Sequence, residues 1–363
     1  MAPALDHVAF HRDGRQQAVT GKVIVRAQDG GLLLMARDGS LWSIEPAELD
    51  SERQDDEPFE ALSPDELSAQ LLSELPAGFE VHRTRHYLIC HNTSRAYAAW
   101  CGALYERLHS AFTNYWTRKG VKLDEPEFPL VAIVFSSRDA YAQFAAAELG
   151  TGAESIVGYY SLRSNRITMY DLTGLESLRN AGGRRGSAAQ INQVLSRPEA
   201  EQVVATIVHE ATHQIAFNTG LQTRFADIPL WVSEGLAVYF ETPDLQSAKG
   251  WRGIGAVNGS RLTQFREYQH KRPAQSIKSL ISDDTRLRDV RTALDAYAEA
   301  WALNYYLLQT RPREYLAYLQ VLAAKKPLLW DDRETRLREF QAAFGDDLDQ
   351  LDADFLRHID KLR

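Results

Sequence analysis

Residues 198–218, PEAEQVVATIVHEATHQIAFN, constrain the fold more than any other stretch, because their apolar residues recur with the period of an α-helix. The apolar stripe of this predicted helix consists of Val203, Val204, Ile207, Val208, Ala211 and Ile215. Pro198 stands in the first turn and Gly220 follows the last one, positions that these residue types favour at helix ends. We therefore expect a well-bounded helix with one buried face.

The pentapeptide HEATH, residues 209–213, lies within this helix. Residues four apart share one face of an α-helix, so His209 and His213 direct their imidazoles to a common point. Glu210 is rotated by about 100° from His209, close enough to reach a water molecule at that point. Two nitrogen ligands and a nearby carboxylate base are what zinc-assisted hydrolysis requires. The segment therefore predicts a metal site in which Glu210 is the general base.

A zinc site of this kind needs a third protein ligand and leaves the fourth position open. The next predicted helix, PLWVSEGLAVYFE at 229–241, offers Glu234. Gly235 beside it would let two helices approach closely. We expect His209, His213 and Glu234 to bind one Zn²⁺ ion.

These motifs carry a resemblance to a known group of enzymes. HExxH followed by a glutamate in an E-G-x-A context resembles the gluzincins, which include thermolysin and the zinc aminopeptidases. The string HEATHQ…FNTG…PLWVSEGLAVYFE is most similar to a bacterial gluzincin-like family of unassigned function. The resemblance covers roughly residues 79–360, and its specific part is 205–241. It implies a zincin-like α+β catalytic domain, with a small sheet, active-site helices and a helical C-terminal part.

Two further roles are predicted, each with a structural alternative. Glu241 shares a helical face with the predicted glutamate ligand and would orient a ligand histidine, or would be a surface residue at the helix end. Asp227 is a weaker candidate for the same role, and otherwise a loop residue. In zinc aminopeptidases a tyrosine on a later helix stabilises the oxyanion, and Tyr297 stands at a similar distance along the chain. Its spacing with Trp301 and Tyr305 equally fits a buried helical stripe.

The stretch GYYSLRSNRITMYD, residues 158–171, is typical of a β-hairpin with its turn near Ser164 and Asn165. In gluzincins an edge strand before the zinc helix pairs with an extended peptide substrate. The resemblance therefore implies that Asn165, Ile167 and Met169 bind substrate. An ordinary sheet edge, which the fold requires in any case, would show the same pattern.

The pattern along the chain predicts an α+β protein preceded by a small all-β module. We expect the β module at 1–50, an acidic linker at 51–78 and the catalytic domain at 79–363. Residues 173–187 are glycine-rich and predict a loop that could gate the cleft. After the two active-site helices, further helices are predicted at about 286–309, 312–324 and 333–360.

Composition excludes some classes of partner. The formal net charge is −8, which argues against nucleic acid, and no apolar run is long enough to predict a membrane span. Cys90 and Cys101 are the two cysteines, and they would form one disulfide in an exported protein or stay as buried thiols. The chain as written predicts a cytoplasmic protein, or a periplasmic or secreted one if a leader has been removed. Oligomeric state stays open.

The expected function is zinc-dependent hydrolysis, most concretely by a metallo-endopeptidase acting on peptides or proteins. The aminopeptidase motif G-x-M-E-N is missing, and GYYSL occupies the comparable stretch without an acidic residue. Two alternatives remain open at this point. One is a zinc-containing binding protein of the same fold without turnover, and the other is a hydrolase of non-peptide amides.

Overall fold

The structure is a computed structural model that describes residues 4–173, 191, 198–242 and 253–362. The chain divides into two compact units, Met1–Glu106 with Pro126–Ile191, and Arg107–Glu125 with Asn192–Arg363. The fold is α+β, as predicted, with a small antiparallel sheet, a mixed sheet and many helices. No helix within these ranges is both long and apolar enough to cross a membrane.

The first unit opens with a five-stranded antiparallel sheet. Its strands are β1 Ala4–Arg12, β2 Arg15–Arg26, β3 Leu32–Ala36, β4 Leu41–Ile44 and β5 Leu49–Pro58, in the order β4-β3-β2-β1-β5. Residues 51–58, predicted as the start of an acidic linker, instead form most of β5 and pair with β1. Part of their charge is compensated across the sheet, because Arg26 donates to Glu52 over 2.8 Å. An acidic composition is therefore compatible with an edge strand.

The second sheet of this unit is mixed, with the strand order β6-β7-β8-β10-β9. Its strands are β6 Glu80–Arg83, β7 Tyr87–His91, β8 Leu130–Phe135, β9 Gly158–Tyr160 and β10 Arg166–Tyr170. Strands β7, β8 and β10 run parallel, and β6 and β9 are the antiparallel edges. The predicted β9–β10 hairpin is confirmed, and Asn165 occupies its turn with a φ of 61°.

The prediction that this hairpin supplies an edge strand at 166–170 is wrong. β10 lies between β8 and β9, so its backbone hydrogen bonds are already used on both sides. Ile167 and Met169 are 0% and 1% exposed, and Asn165 accepts a hydrogen bond from the Tyr160 hydroxyl over 2.7 Å. Alternating apolar residues mark a packed strand, but they do not distinguish an interior strand from an edge. These three side chains are therefore not available to a substrate.

Three helices accompany the second sheet: α1 Pro64–Glu74, α2 Arg95–Arg118 and α3 Arg138–Leu149. α1 lies within the predicted linker and begins with a capping box formed by Ser63 and Glu66. The division between the two units falls inside α2. Cys90 in β7 and Cys101 in α2 are free and buried, so the disulfide alternative is wrong. Burial raises the pKa of Cys90 to about 12, as expected of an inert thiol.

The second unit is helical over its described residues. Besides the end of α2, its helices are α4 Pro198–Asn218, α5 Leu230–Phe240, α6 Gly259–Gln269, α7 Ser276–Ser282, α8 Thr285–Arg288, α9 Ala293–Thr310, α10 Pro312–Ala323, α11 Arg333–Phe344 and α12 Leu348–Ile359. The predictions at 198–218, 229–241 and 312–324 are confirmed to within one residue at each end. The single helix predicted at 333–360 is two, because Gly345 has a φ of 99° and ends the first.

Helix α5 packs closely against α9 at Gly235, as its sequence predicted. An ideal Cβ at this position would lie 2.0 Å from Nδ2 of Asn304 and 2.7 Å from the carbonyl oxygen of Ala300. The Asn304 amide also donates to the carbonyl of Trp231 over 2.8 Å, so it bridges the two helices. A side chain at Gly235 would break this bridge.

We expect Gly235→Ala to lower the free energy of unfolding by about 1–3 kcal/mol, because the added methyl forces the two helices apart. An alanine normally stabilises a helix interior by roughly 1 kcal/mol relative to glycine, so the sign is reversed here. Chemical denaturation measures the effect. Gly259→Ala is the matched control, because a Cβ added at this position, at the start of α6, would meet nothing within 4 Å. Equal stability of the two variants would contradict the close approach.

Candidate metal centre

The predicted ligands come together in the second unit. Donor atoms of His209, His213 and Glu234 all lie within 4.8 Å of one another. Nε2 of His209 is 3.1 Å from Nε2 of His213 and 3.0 Å from Oε2 of Glu234. The third separation, from His213 Nε2 to the same oxygen, is 3.5 Å. Around a tetrahedral zinc ion with bonds of about 2.0–2.1 Å, donor atoms lie about 3.3 Å apart, so the cluster could hold a metal ion.

The two helices that carry the cluster are fixed by burial. In α4, Ile207, Val208 and Ala211 are at most 2% exposed, so the opposite face carries both histidines toward α5. In α5, Trp231 and Val232 are fully buried, which holds the turn before Glu234 in place. The side chains of the three candidate ligands keep 11–14% exposure. They are therefore largely desolvated but not completely closed off from solvent.

Glu241 lies directly beside the first histidine. Its Oε1 is 2.7 Å from Nδ1 of His209, and the side chain is 9% exposed. An ionised carboxylate only accepts hydrogen bonds, so Nδ1 of His209 carries a proton, and Nε2 is the nitrogen that faces the cluster. Nη2 of Arg261 lies 3.5 Å from the same Glu241 oxygen. The geometry is that of a carboxylate that orients a metal-binding imidazole.

The electrostatics of the cluster favour positive charge. Burial acts to lower the pKa of His209, but hydrogen bonds to Glu234 and Glu241 outweigh it and raise that pKa well above its usual value. Burial acts to raise the pKa of Glu234, and the neighbouring His213 and His209 outweigh it and lower the pKa. Glu241 follows the same pattern, with its pKa lowered by the hydrogen bond to His209 against the effect of burial. A mixed nitrogen and oxygen donor set in such surroundings suits a zinc ion.

Tyr297 of α9 also belongs to the cluster. Burial, and then the Glu234 and Glu210 carboxylates, raise the pKa of Tyr297, so its phenol keeps its proton. The guanidinium of Arg261 lies 5.9 Å from the centre of its ring. Of the tyrosines considered in the sequence, Tyr297 is thus the one that the structure brings to the cluster. Tyr305 is 8% exposed and packs against the ring of His358.

Other predicted features lie elsewhere or were not anticipated. Asp227 is 1% exposed and forms two hydrogen bonds with Arg336, 2.9 and 2.5 Å long, so it is an ion-pair residue. The predicted gating loop at 173–187 falls almost wholly outside the described residues, which include only Thr173 of it. Arg261 was missed, because it lies on α6, a largely polar segment for which no helix was predicted.

One family model matches the part of the chain that contains the cluster. A family described as a protein of unknown function (DUF1570) matches residues 203–329, which include all three candidate ligands, Glu210 and Tyr297. The match covers less than half of the chain. No curated protein matches the sequence. The similarity therefore marks the segment that holds the cluster and assigns no activity to it.

We expect the purified protein to bind about one zinc ion per chain, and His209→Ala or Glu234→Ala to lose it. Removing a ligand should cost more than the roughly 10–100-fold in affinity that an outer hydrogen-bond partner contributes. Elemental analysis after dialysis and a competition titration measure both quantities. His270→Ala is the control, since this histidine is exposed at the end of α6. Unchanged zinc content in the ligand variants would rule out this site.

Proposed function

We propose that the protein is a zinc-dependent hydrolase with a zincin-like active site, most concretely a metallo-endopeptidase of the gluzincin type. The observation that carries the proposal is the incomplete ligand set. Three side chains converge, and in the described part of the chain no fourth His, Cys, Asp or Glu joins them. Structural zinc sites use four protein ligands, whereas catalytic sites use three and keep one position open.

The chain's own residues have separable roles in this proposal. When held by His209, His213 and Glu234, zinc would act as a Lewis acid and lower the pKa of water to about 7. Glu210 takes the proton of the attacking water and passes it to the leaving amine. Glu210 directly follows His209 on α4, and after burial and Glu234 its carboxylate adds to the raised pKa of Tyr297.

Tyr297 is the candidate for oxyanion stabilisation. A phenol whose pKa is raised keeps its proton and can donate a hydrogen bond to the oxygen on which negative charge develops. Such a donor contributes most when it is held in place before the reaction. Helix α9 holds Tyr297 rigidly, because neighbouring residues Ala296, Ala298 and Ala300 are fully buried.

A peptide bond is the substrate that these groups suit best. The reaction needs a base for water and an acid for an amine, and Glu210 serves in turn as both. The sequence lacks the G-x-M-E-N motif with which zinc aminopeptidases bind a free amino terminus. This favours cleavage inside a chain over removal of the first residue.

Glu210→Gln should abolish cleavage while leaving zinc in place, because the amide cannot accept the proton of water. The expected loss in rate is about 10²–10⁴-fold. Digestion of a peptide library, read by mass spectrometry with zinc content determined in parallel, gives both the cleavage sites and the loss. Glu267→Gln, an exposed change of the same type on α6, is the control. Zinc binding by wild type without cleavage would favour a non-peptide substrate or a binding protein without turnover.

Tyr297→Phe should lower kcat by about 10²–10³-fold with little change in KM or zinc content, because it removes a donor to the developing charge. Steady-state kinetics on a peptide from the library that the wild type cleaves measure kcat and KM separately. Tyr305→Phe on the same helix is the matched control and should retain full activity. Equal rates for Tyr297→Phe and wild type would assign Tyr297 to the helix core instead.

A further inference from the structure

A chain of two hydrogen bonds lies behind the second histidine. Nδ1 of His213 is 3.3 Å from Oγ of Ser233, and that hydroxyl donates to Oε1 of Gln222 over 3.2 Å. Gln222 is 3% exposed and Ser233 is 7% exposed, so both are shielded from water that could substitute for a partner. Neither residue has a predicted role, and Gln222 is separated from the cluster by Ser233.

The order of these three groups fixes the direction of both hydrogen bonds. The serine hydroxyl has one proton, and an amide oxygen can only accept. When the Ser233 hydroxyl donates its proton to Gln222, the lone pairs of the serine oxygen face His213. Nδ1 of His213 must then be the donor of the other hydrogen bond. Nε2 of His213 then carries a lone pair, which is the form that binds a metal.

Without Gln222 this direction would no longer be imposed. The Ser233 hydroxyl could then donate to Nδ1 of His213, which would place the imidazole proton on Nε2, facing the cluster. It could also turn to the carbonyl one helical turn earlier, at Pro229, as serines in helices often do. Only part of the population would then keep the metal-binding tautomer.

We infer that Gln222 and Ser233 form a positioning relay that holds His213 in its metal-binding tautomer. The inference rests on the zinc site of the proposed function. The relay is the neutral counterpart of Glu241 at His209, so each imidazole has its own acceptor. Gln222 is itself fixed by the loop after α4, where its backbone N–H donates to the carbonyl of Ala216 over 3.0 Å.

A double-mutant cycle on zinc affinity tests the relay. Ser233→Ala should weaken zinc binding by about 10–100-fold, as loss of an outer partner does, and Gln222→Leu should weaken it by less. The double variant should bind no more weakly than Ser233→Ala, because Gln222 acts only through Ser233. Thr219→Val is the control, since this buried hydroxyl bonds only a backbone carbonyl of α4, that of Ile215. Its zinc affinity should equal that of wild type.

The tautomer gives a readout that does not depend on zinc or on activity. In the zinc-free protein, at a pH where the imidazole is neutral, nitrogen-15 NMR should show His213 protonated at Nδ1. In Gln222→Leu, part of the signal should move to the Nε2–H form, whereas Ser233→Thr should preserve the wild-type spectrum. An unchanged spectrum in Gln222→Leu, or additive losses of affinity in the cycle, would overturn the relay. Failure of wild type to bind zinc would reject the proposed function, while the spectra still decide the relay.

Discussion

Two imidazole nitrogens and a carboxylate oxygen lie within 3.0–3.5 Å of one another, and their lone pairs repel unless a proton or a cation lies between them. The packing of the second unit holds them there against this repulsion. Gly235 contributes by letting α5 lie close to α9, so the residue beside the candidate ligand Glu234 sets the distance between α5 and the helix that carries Tyr297. The close packing of α5 on α9 and the position of the Glu234 carboxylate thus depend on two adjacent residues, Gly235 and Glu234.

Buried ion pairs hold α5 and α9 in place. Arg336 binds Asp227 and Asp284, and Asp284 in turn accepts the backbone N–H of Leu230 over 3.0 Å at the start of α5. On α9, the fully buried Glu299 lies two residues after Tyr297 and accepts from Arg272 and Arg286 over 2.7 and 2.6 Å. Buried ion pairs add little net stability but are costly to break. Their effect here is to fix where α5 begins and how α9 is rotated.

The sequence predicted the features that depend on local periodicity. It did not predict the features that depend on contacts between segments distant along the chain. The spacing of His209 and His213 follows from helix geometry alone, and the burial of α4 and α5 follows from their apolar residues. The interior position of β10 in its sheet could not be predicted, because the strands that pair with it depend on the arrangement of all five strands. Gln222 and Arg261 also left no local signal. Their roles arise from contacts with Ser233 and Glu241, made by a loop and by a polar helix.

The charges around the cluster bear on the class of substrate in the proposed function. Glu210, Glu234 and Glu241 contribute three negative charges, and Arg261 contributes one positive charge. A bound zinc dication would bring the sum of these groups to zero. Sites that act on phosphoryl groups are instead lined with surplus positive charge, which neutralises the substrate's own anions. A site without that surplus suits an uncharged carbonyl, on which a single negative charge develops only in the transition state, within reach of the Tyr297 phenol.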